Sequence, residues 1–507
     1  MALARALSVA LLGVEGQIVD VEADLADGLP GLTMIGLPDA ALHEARDRIR
    51  AAIVNSGESW PSRRITLALL PATLPKRGSL FDVALAVAVL AAAGAVPVEP
   101  LGGVVLLGEL GLDGRLRPTR GVLPAVLTAA RDGVRRVVVP QPNAGEAALV
   151  PDVDVRGAER LADLLAFLRG DRGRTVVGQP SAVAEDSPVE DLCDVVGQAV
   201  GRRAMEVAAA GGHHAFLGGP PGAGKTMLAE RLPGLLPPLG DAEALEVTAV
   251  HSVAGTLPAG APLLRRPPYQ APHHTASMAA LVGGGSNLAR PGVVSLAHQG
   301  ILFLDEAPEF GVGVLDALRQ PLESGKIVIA RSGGVVRYPA RFQLLLAANP
   351  CPCATPAGDD GCTCTPGTRR RYLGRLSGPL LDRIDLHVWM TPVTPSDLLG
   401  ERFGVETSET VAKRVLDARA AARERLAGTS WRTNSEVPGT VLRTRWRLPA
   451  SATTLADDAL DCGWLSARGY DRTLRIAWTL ADLAGRSIPD RADVDEAVGL
   501  RSRRVPA

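Results

Sequence analysis

Lysine is almost missing from this chain: Lys76, Lys225, Lys326 and Lys413 are the only four among 54 basic residues. The arginine bias runs through the whole sequence, so an arginine cluster here points less strongly to a polyanion than it would elsewhere. Aromatic residues make up 3%, so the cores must be aliphatic and alanine-rich. Cysteine is scarce as well. Four of the six cysteines fall in 351–364, which excludes a secreted disulfide framework and places the chain in the cytosol. No run reaches membrane length. The longest apolar stretch, 83–98, is about 16 residues of mostly Ala and Val beside Asp82, and reads as a buried helix. The short apolar stretch 6–13 has no small-residue cleavage pattern after it, so a signal peptide is not expected. A net charge of −1 gives the whole chain no polyanion-binding character.

What is present is length and an apolar fraction of 46% in 507 residues, enough for roughly three to four packed domains. Residues 1–169 read as one α/β domain. Within it, 4–12 and 17–25 form a hairpin, 42–55 a helix after Pro38-Asp39, 65–70 a strand and 81–93 a buried helix. Strands at 104–107 and 115–118 flank the turn Leu112-Asp113-Gly114. A helix at 123–131, a strand at 136–139 and a helix at 161–168 follow. Residues 170–190 are Gly, Pro, Ser and acidic residues without periodicity, a linker. Residues 191–394 alternate strands and helices, as an α/β nucleotide-binding core does. From 395 to 507 the pattern is helical, at 410–426, 465–483 and 491–500. There is no internal repeat.

The core carries the chemistry. Gly219-Pro220-Pro221-Gly222-Ala223-Gly224-Lys225-Thr226 fits G-x-x-x-x-G-K-[ST], with a short apolar strand before it and a helix after it. Glycines let backbone N–H groups turn inward around phosphate oxygens, and the helix start adds its positive dipole end. Lys225 would reach the β- and γ-phosphates, and Thr226 would offer a hydroxyl to Mg²⁺. About 80 residues on, the strand Ile301–Leu304 ends in Asp305 and Glu306, one to hold Mg²⁺ and the other to polarise the attacking water. A further apolar strand, 342–348, ends in Asn349, placed either to orient that water or simply to turn the chain before Pro350. Arg383, between Asp382 and Asp385, is either a local ion pair or a finger reaching a neighbouring subunit's ATP. Arg475 would touch the γ-phosphate from the lid of its own subunit, with Arg472 one helical turn away as its competitor.

Cys351-Pro352-Cys353 and Cys362-Thr363-Cys364 bracket eight residues. Their spacing leaves three readings open: a tetrahedral zinc site, reduced thiols, or a redox-linked disulfide. His273 and His274 fit a polar loop at a pore or subunit interface better than they fit metal ligands. Residues 366–447 hold 15 Arg/Lys against 9 Asp/Glu, which is a basic face or only a solvated helical one. A hairpin at 327–330 and 335–338, turning at Arg331-Ser332-Gly333-Gly334 with Lys326 and Arg337 at its base, precedes the Asn349 strand.

In this order the motifs resemble the magnesium-chelatase-like AAA+ ATPases, specifically the YifB/ComM group. Besides the ATP motifs, the resemblance rests on Gln270-Ala271-Pro272-His273-His274-Thr275, Gly283-Gly284-Gly285, Arg290-Pro291-Gly292, Ser295-Leu296-Ala297-His298, the cysteine quartet, and Leu376-Ser377-Gly378-Pro379-Leu380-Leu381-Asp382-Arg383. It covers essentially the whole chain. It implies an α/β fold with a Lon-protease-like N-terminal domain, an AAA+ P-loop core and a C-terminal helical lid. It also implies a homo-hexameric, cytoplasmic ring using ATP and Mg²⁺, with Asn349 as first sensor, Arg383 as finger and Arg475 as second sensor. Trp478 departs from the smaller or basic residue expected there. Relatives of this group act as DNA helicases promoting branch migration, so the resemblance implies a DNA motor in recombination or natural transformation, its hairpin gripping the phosphate backbone through Lys326, Arg331 and Arg337. The alternatives are a chelatase-type chaperone acting on a protein partner and an ATP-dependent protease. Against the last, 74–82 resembles the segment carrying the protease's serine but places Leu80 there, with Ser79 one position early. Likewise Leu123 falls where the catalytic lysine would be, and leucine cannot move a proton.

Overall fold

The computed structural model describes residues 2–501 apart from 38–39, 77, 181–189, 259–260, 286–288, 332–333, 354–361 and 395–404. The chain begins with two long strands, β1 (Ala2–Leu12) and β2 (Glu15–Ala26), paired antiparallel from Ala2↔Leu25 to Leu12↔Glu15. Apolar alternation puts Val19, Val21, Ala23 and Leu25 of β2 inside. Around them the sheet adds β3 (Gly31–Ile35), β4 (Arg64–Leu70), β5 (Val105–Leu106), β8 (Arg136–Pro140), β9 (Asp154–Ala158) and β10 (Val176–Val177), in the order β10-β9-β8-β5-β1-β2-β4-β3. β6 (Glu109–Leu110) and β7 (Leu116–Arg117) form a separate small hairpin. The helix Asp82–Ala92 is buried at all eleven residues, as a helix apolar on every side must be.

The structure departs from the sequence reading in three places here. The turn at 112–114 is flanked by β6 and β7, while β5 leaves it to pair with β1 and β8. β3 and β9 went unread: β3 is an exposed edge, and β9 contains Asp154 and Gly157, poor strand formers. Val176–Val177, expected in the linker, pairs with β9 and closes the sheet, so the N-terminal unit extends past 169. The rest of that linker, 181–189, lies outside the described residues.

The second unit is a fully parallel sheet of β11 (Ala215–Gly218), β12 (Tyr269–Gln270), β15 (Ile301–Leu304), β18 (Gln343–Ala348) and β19 (Leu386–Trp389), ordered β12-β15-β18-β11-β19. The central strands are buried at every residue, which is why they read as continuous apolar runs. Two hairpins stand off the sheet: β13 (Gly283–Gly284) with β14 (Arg290–Pro291), and β16 (Lys326–Arg331) with β17 (Gly334–Pro339). The second hairpin touches the N-terminal unit. Gly13, at φ 72° in the β1–β2 turn, lies so close that a Cβ there would sit 2.7 Å from the Arg337 carbonyl oxygen.

The last unit is helical: Ser408–Arg425, Ala450–Asp461, Ala467–Leu483 and Arg491–Arg501. The Thr- and Asp-rich helix 450–461 was not foreseen. In the helix 467–483, Ser466 accepts from the Gly469 N–H as N-cap, and Thr473, Leu474, Ala477, Leu480 and Ala481 face inward at helical spacing. One aliphatic cluster joins this face to the helix Ala199–Gly211 and the sheet, so the helical unit packs directly on the core. No helix among the described residues is long and apolar enough to cross a membrane.

Candidate active site

β15, β18 and β11 lie side by side and parallel, in the registers Leu304↔Leu346 and Gly218↔Ala348. Parallel strands deliver their following residues to one edge of the sheet, where ligands bind in such folds. Asp305, Asn349 and Gly219 therefore emerge together. Lys225 Nζ donates to the Gly219 and Pro220 carbonyls at 2.7 and 2.8 Å, and to Asn349 Oδ1 at 3.1 Å. Thr226 Oγ1 donates to Asp305 Oδ2 at 2.7 Å, and the Glu306 N–H donates to Asp305 Oδ1 at 2.8 Å. Gly222 and Gly224 sit at φ 76° and 85°, a conformation that side chains rarely adopt and that the inward-facing loop amides require. Burial pushes the Lys225 ammonium below its ordinary pKa, opposed by the Asp305 and Glu306 carboxylates. The residues 219–226, Asp305, Glu306 and Asn349, which the sequence scattered over 130 positions, are thus one constellation.

One member of this edge was not expected. His274 Nδ1 stands 3.2 Å from Glu306 Oε2, so the histidine faces the second carboxylate of the Asp305-Glu306 pair within its own chain rather than only a pore or an interface. Glu306 is itself held at φ 49°, an uncommon place for a residue with a side chain. The only sequence signal was the His-His pair, which carries no partner information.

The arginines divide. Arg383 Nη1 donates to the Pro379 carbonyl at 2.6 Å, and Nη2 pairs with Glu323 rather than with the adjacent Asp382 and Asp385, which bind Arg468 and Arg472 instead. Arg475, expected at the γ-phosphate of its own subunit, is elsewhere. Its Nε donates to the Val437 carbonyl at 2.7 Å, and its charged neighbours are Asp385, Arg472 and Asp471. Asp385 precedes β19 at the opposite edge of the sheet, five strand residues or roughly 16 Å from the phosphate loop. The competitor Arg472 is bound to Asp385 there. Trp478 explains its own presence by packing: its ring lies 5.2 Å from Trp446, and the Arg425 guanidinium covers it at 4.7 Å.

The four cysteines converge. Cys351 Sγ is 3.0 Å from Cys353 Sγ and 3.3 Å from Cys362 Sγ, and with Cys364 all four sulfurs lie within 4.8 Å of one another. Four thiolates about 2.3 Å from one ion require sulfurs this close. The hairpin β16–β17 turns one face inward through Ile327, Ile329, Val336 and Tyr338, and exposes Lys326, Val328, Val335 and Arg337 on the other. Ser332, Gly333 and the Arg331 side chain lie outside the described residues. In the N-terminal unit, Lys76 is fully buried with Nζ donating to the Pro71 carbonyl, and Ser79 Oγ donates to the Glu109 carboxylate. Leu123 is buried, and Leu80 is partly buried against the same hydrophobic cluster.

Comparison with known proteins agrees with this geometry. Residues 191–398 match the family model for magnesium chelatase, subunit ChlI; residues 21–143 match that for subunit ChlI of Mg-chelatase; and 405–501 match its C-terminal model. An uncharacterized protein of Mycobacterium tuberculosis is 57% identical over 503 residues, covering 99% of each chain. The uncharacterized protein YifB of Escherichia coli is 41% identical over 97% of this chain and 96% of its own. The competence protein ComM of Haemophilus influenzae is 41% identical over 99% and 98%. A Lon protease of Mycolicibacterium smegmatis is 30% identical over 172 residues, 32% of this chain and 22% of its own, consistent with a Lon-like element. The parallel sheet, the phosphate-loop constellation and full-length identity together place the chain in the magnesium chelatase subunit ChlI family of AAA+ proteins, in the group that includes YifB and ComM.

Proposed function

We propose that the protein is an ATP-hydrolysing, homo-hexameric motor that moves along DNA. The observation that carries the ATPase reading is the convergence of Lys225, Asn349, Thr226, Asp305 and Glu306 at one edge of a parallel sheet. The oxygens of Thr226 and Asp305, 2.7 Å apart, are the donors that Mg²⁺ takes, and these two residues would hold it. The bound ion supplies charge neutralisation at the phosphates. Lys225 binds phosphate oxygens, Asn349 orients the attacking water, and Glu306 accepts its proton. The cysteine quartet, beginning two residues after Asn349, binds a structural zinc through its four sulfurs.

DNA as client is supported by the exposed face of the β16–β17 hairpin, with Lys326 and Arg337, and by the name of the competence protein among the relatives. The test is ATPase rate with and without single-stranded, duplex and four-way-junction DNA, followed by branch migration of a labelled junction. Stimulation with little sequence preference and a steep salt dependence is expected. If assembled wild-type hexamers neither bind DNA at low salt nor respond to it, the client is a protein, as in the chelatase-type reading. Casein digestion would reveal a peptidase instead.

A further inference from the structure

We propose that the N-terminal unit is a brace for the β16–β17 hairpin. The β1–β2 turn, through Gly13 and Val14, holds the hairpin from outside the core, and a buried clasp between Glu146 and Ser252 fastens the turn's own support to the core. What the hairpin grips rests on the motor reading; the brace itself does not.

The hairpin needs outside support. A two-stranded ribbon is marginal on its own in water, and β16 and β17 form a separate two-stranded sheet. Their position therefore depends on what packs against them. On the core side, Ile327, Ile329, Val336 and Tyr338 share a cluster with Leu281, and Tyr338 Oη donates to the Ala289 carbonyl. Further support comes from the start of the chain. Val14 is partly buried against that same cluster. Gly13 is closer still: a Cβ there would stand 2.7 Å from the Arg337 carbonyl oxygen, 2.8 Å from Val336 Cγ1 and 3.4 Å from Tyr338 Cε1. Both its φ of 72° and this lack of room call for glycine.

A brace also needs an anchored end. The β1–β2 turn is backed by the helix Val122–Arg131. Arg131 Nη2 donates to the Gly16 carbonyl at 3.2 Å, and a Cβ on Gly121 would sit 2.6 Å from Leu11 Cδ1. The same helix docks on the helix Asp241–Ala254 of the core. Ala249 of the core is buried in one cluster with Val122, Leu123, Val126 and Ala129, and Leu245 packs against it. The Gly121 N–H donates to the Ser252 carbonyl at 3.3 Å. Ser252 Oγ donates to the Glu146 carboxylate, which also accepts from the Leu123 N–H at 3.0 Å and from Asn143 Nδ2 at 3.2 Å. Glu146 and Ser252 are both buried, and a buried carboxylate is tolerated only where donors surround it. One of its donors is the core's hydroxyl. Val253, the next residue, is partly buried against the hairpin's cluster. The contacts thus close a triangle: turn on hairpin, helix 122–131 on helix 241–254, and helix 241–254 on the hairpin. Dense packing leaves such a closed set little slack.

The experiment is amide hydrogen exchange of the full-length protein, read by mass spectrometry on peptides covering 326–339. Gly13→Ala drives a methyl group against the Arg337 carbonyl. It is expected to speed exchange there by about 10-fold, the factor that overpacking one close contact gives a local opening equilibrium. Val14→Ala trims the apolar contact without strain and is expected to speed it by about 3-fold. Gly133→Ala is the control, since Gly133 has φ 86° and nothing within 4 Å of a built Cβ. Should Gly13→Ala fail to fold, Val14→Ala decides alone. Unchanged hairpin exchange in the folded variants overturns the brace, as does an equal rise in Gly133→Ala. Ser252→Ala tests the clasp: faster exchange is expected in both 241–254 and 326–339, and a rise confined to 241–254 overturns the clasp's part. In a second arm, Gly13→Ala is expected to keep the wild-type kcat for ATP without DNA, while its stimulation by four-way-junction DNA falls toward a ratio of 1. A wild-type ratio in a variant with a loosened hairpin overturns the brace's part in the motor. If wild type itself ignores DNA, the motor reading fails, and the exchange arm still decides the brace.

Discussion

The two edges of the five-stranded sheet use the same kinds of side chain to opposite ends. At the edge where β11, β15 and β18 finish, Thr226 and Glu306 are exposed, Asp305 is half-buried, and their bonds are to one another. At the other edge, Asp385 is 1% exposed. It is bound by Arg472, faces His213 Nδ1 at 3.3 Å and accepts from the His214 N–H at 3.3 Å. His213 Nε2 continues to Thr479 Oγ1 at 2.8 Å in the helix 467–483, and Arg501 caps the Ile384 and Asp385 carbonyls. Although burial opposes it, the Arg472 guanidinium and His213 hold the Asp385 carboxyl well below the usual carboxylate range. One edge keeps its polar groups near water and exchangeable; the other locks them into a clamp between core and lid. Residue type does not separate the two edges. Solvent access separates their carboxylates, Glu306 and Asp305 against Asp385, while Lys225 is buried at the phosphate-loop edge as well.

The sharpest way to break this division is Arg383, whose local pairing with Glu323 looks structural while its motif looks catalytic. If it serves a neighbour's nucleotide, Arg383→Ala should lose about 10³–10⁵ in kcat with nucleotide binding intact. Mixing it with Lys225→Ala subunits should restore part of the rate. Unchanged turnover would assign Arg383 to the structural side. Next in size, Glu306→Gln should retain ATP affinity and melting temperature but lose about 10²–10⁴ in turnover; wild-type rates would remove Glu306 from the reactive edge.

The clamp predicts the reverse pattern. Asp385→Asn should lower unfolding stability by about 3–5 kcal/mol, because the half-buried Arg472 loses its buried partner, while ATP affinity of the folded fraction holds. Since the folded-state pKa of Asp385 is depressed, its contribution is present above the unfolded value of about 3.9 and is lost as pH falls through the folded value. Acid denaturation followed by circular dichroism should therefore lose that component in Asp385→Asn. A smaller effect is expected at the cysteines. Elemental analysis should find about one zinc per chain, absent after Cys351→Ser with Cys362→Ser, and metal-free protein with four titratable thiols there would dispose of the site. Smallest is Arg337→Ala, which should reduce the slope of log binding constant against log salt by about 1 if that side chain tracks a phosphate.

Much of the reactive edge was legible because its chemistry needs contiguous residues. A phosphate loop must be Gly-rich and end in Lys225-Thr226, and Asp305-Glu306 must follow an apolar strand. The family assignment came from the same local runs. Less legible were β3, β9 and β10, whose short or polar sequences form strands only because neighbours supply the ladder. The reading of Arg475 failed for a related reason: helical spacing gives its face on the helix 467–483, but not where that helix docks.

By itself the sequence determined the fold class, the family, and the identity of the residues at the ends of β11, β15 and β18, because these follow from hydrophobic period and from motifs read within a few positions. Only the tertiary structure decided that Arg472 and Arg475 belong to the Asp385 edge, that His274 faces Glu306, and that the β1–β2 turn rests on β17. Each of these is a meeting of segments tens to hundreds of residues apart. Such meetings are fixed by how whole faces pack, and no local pattern records them.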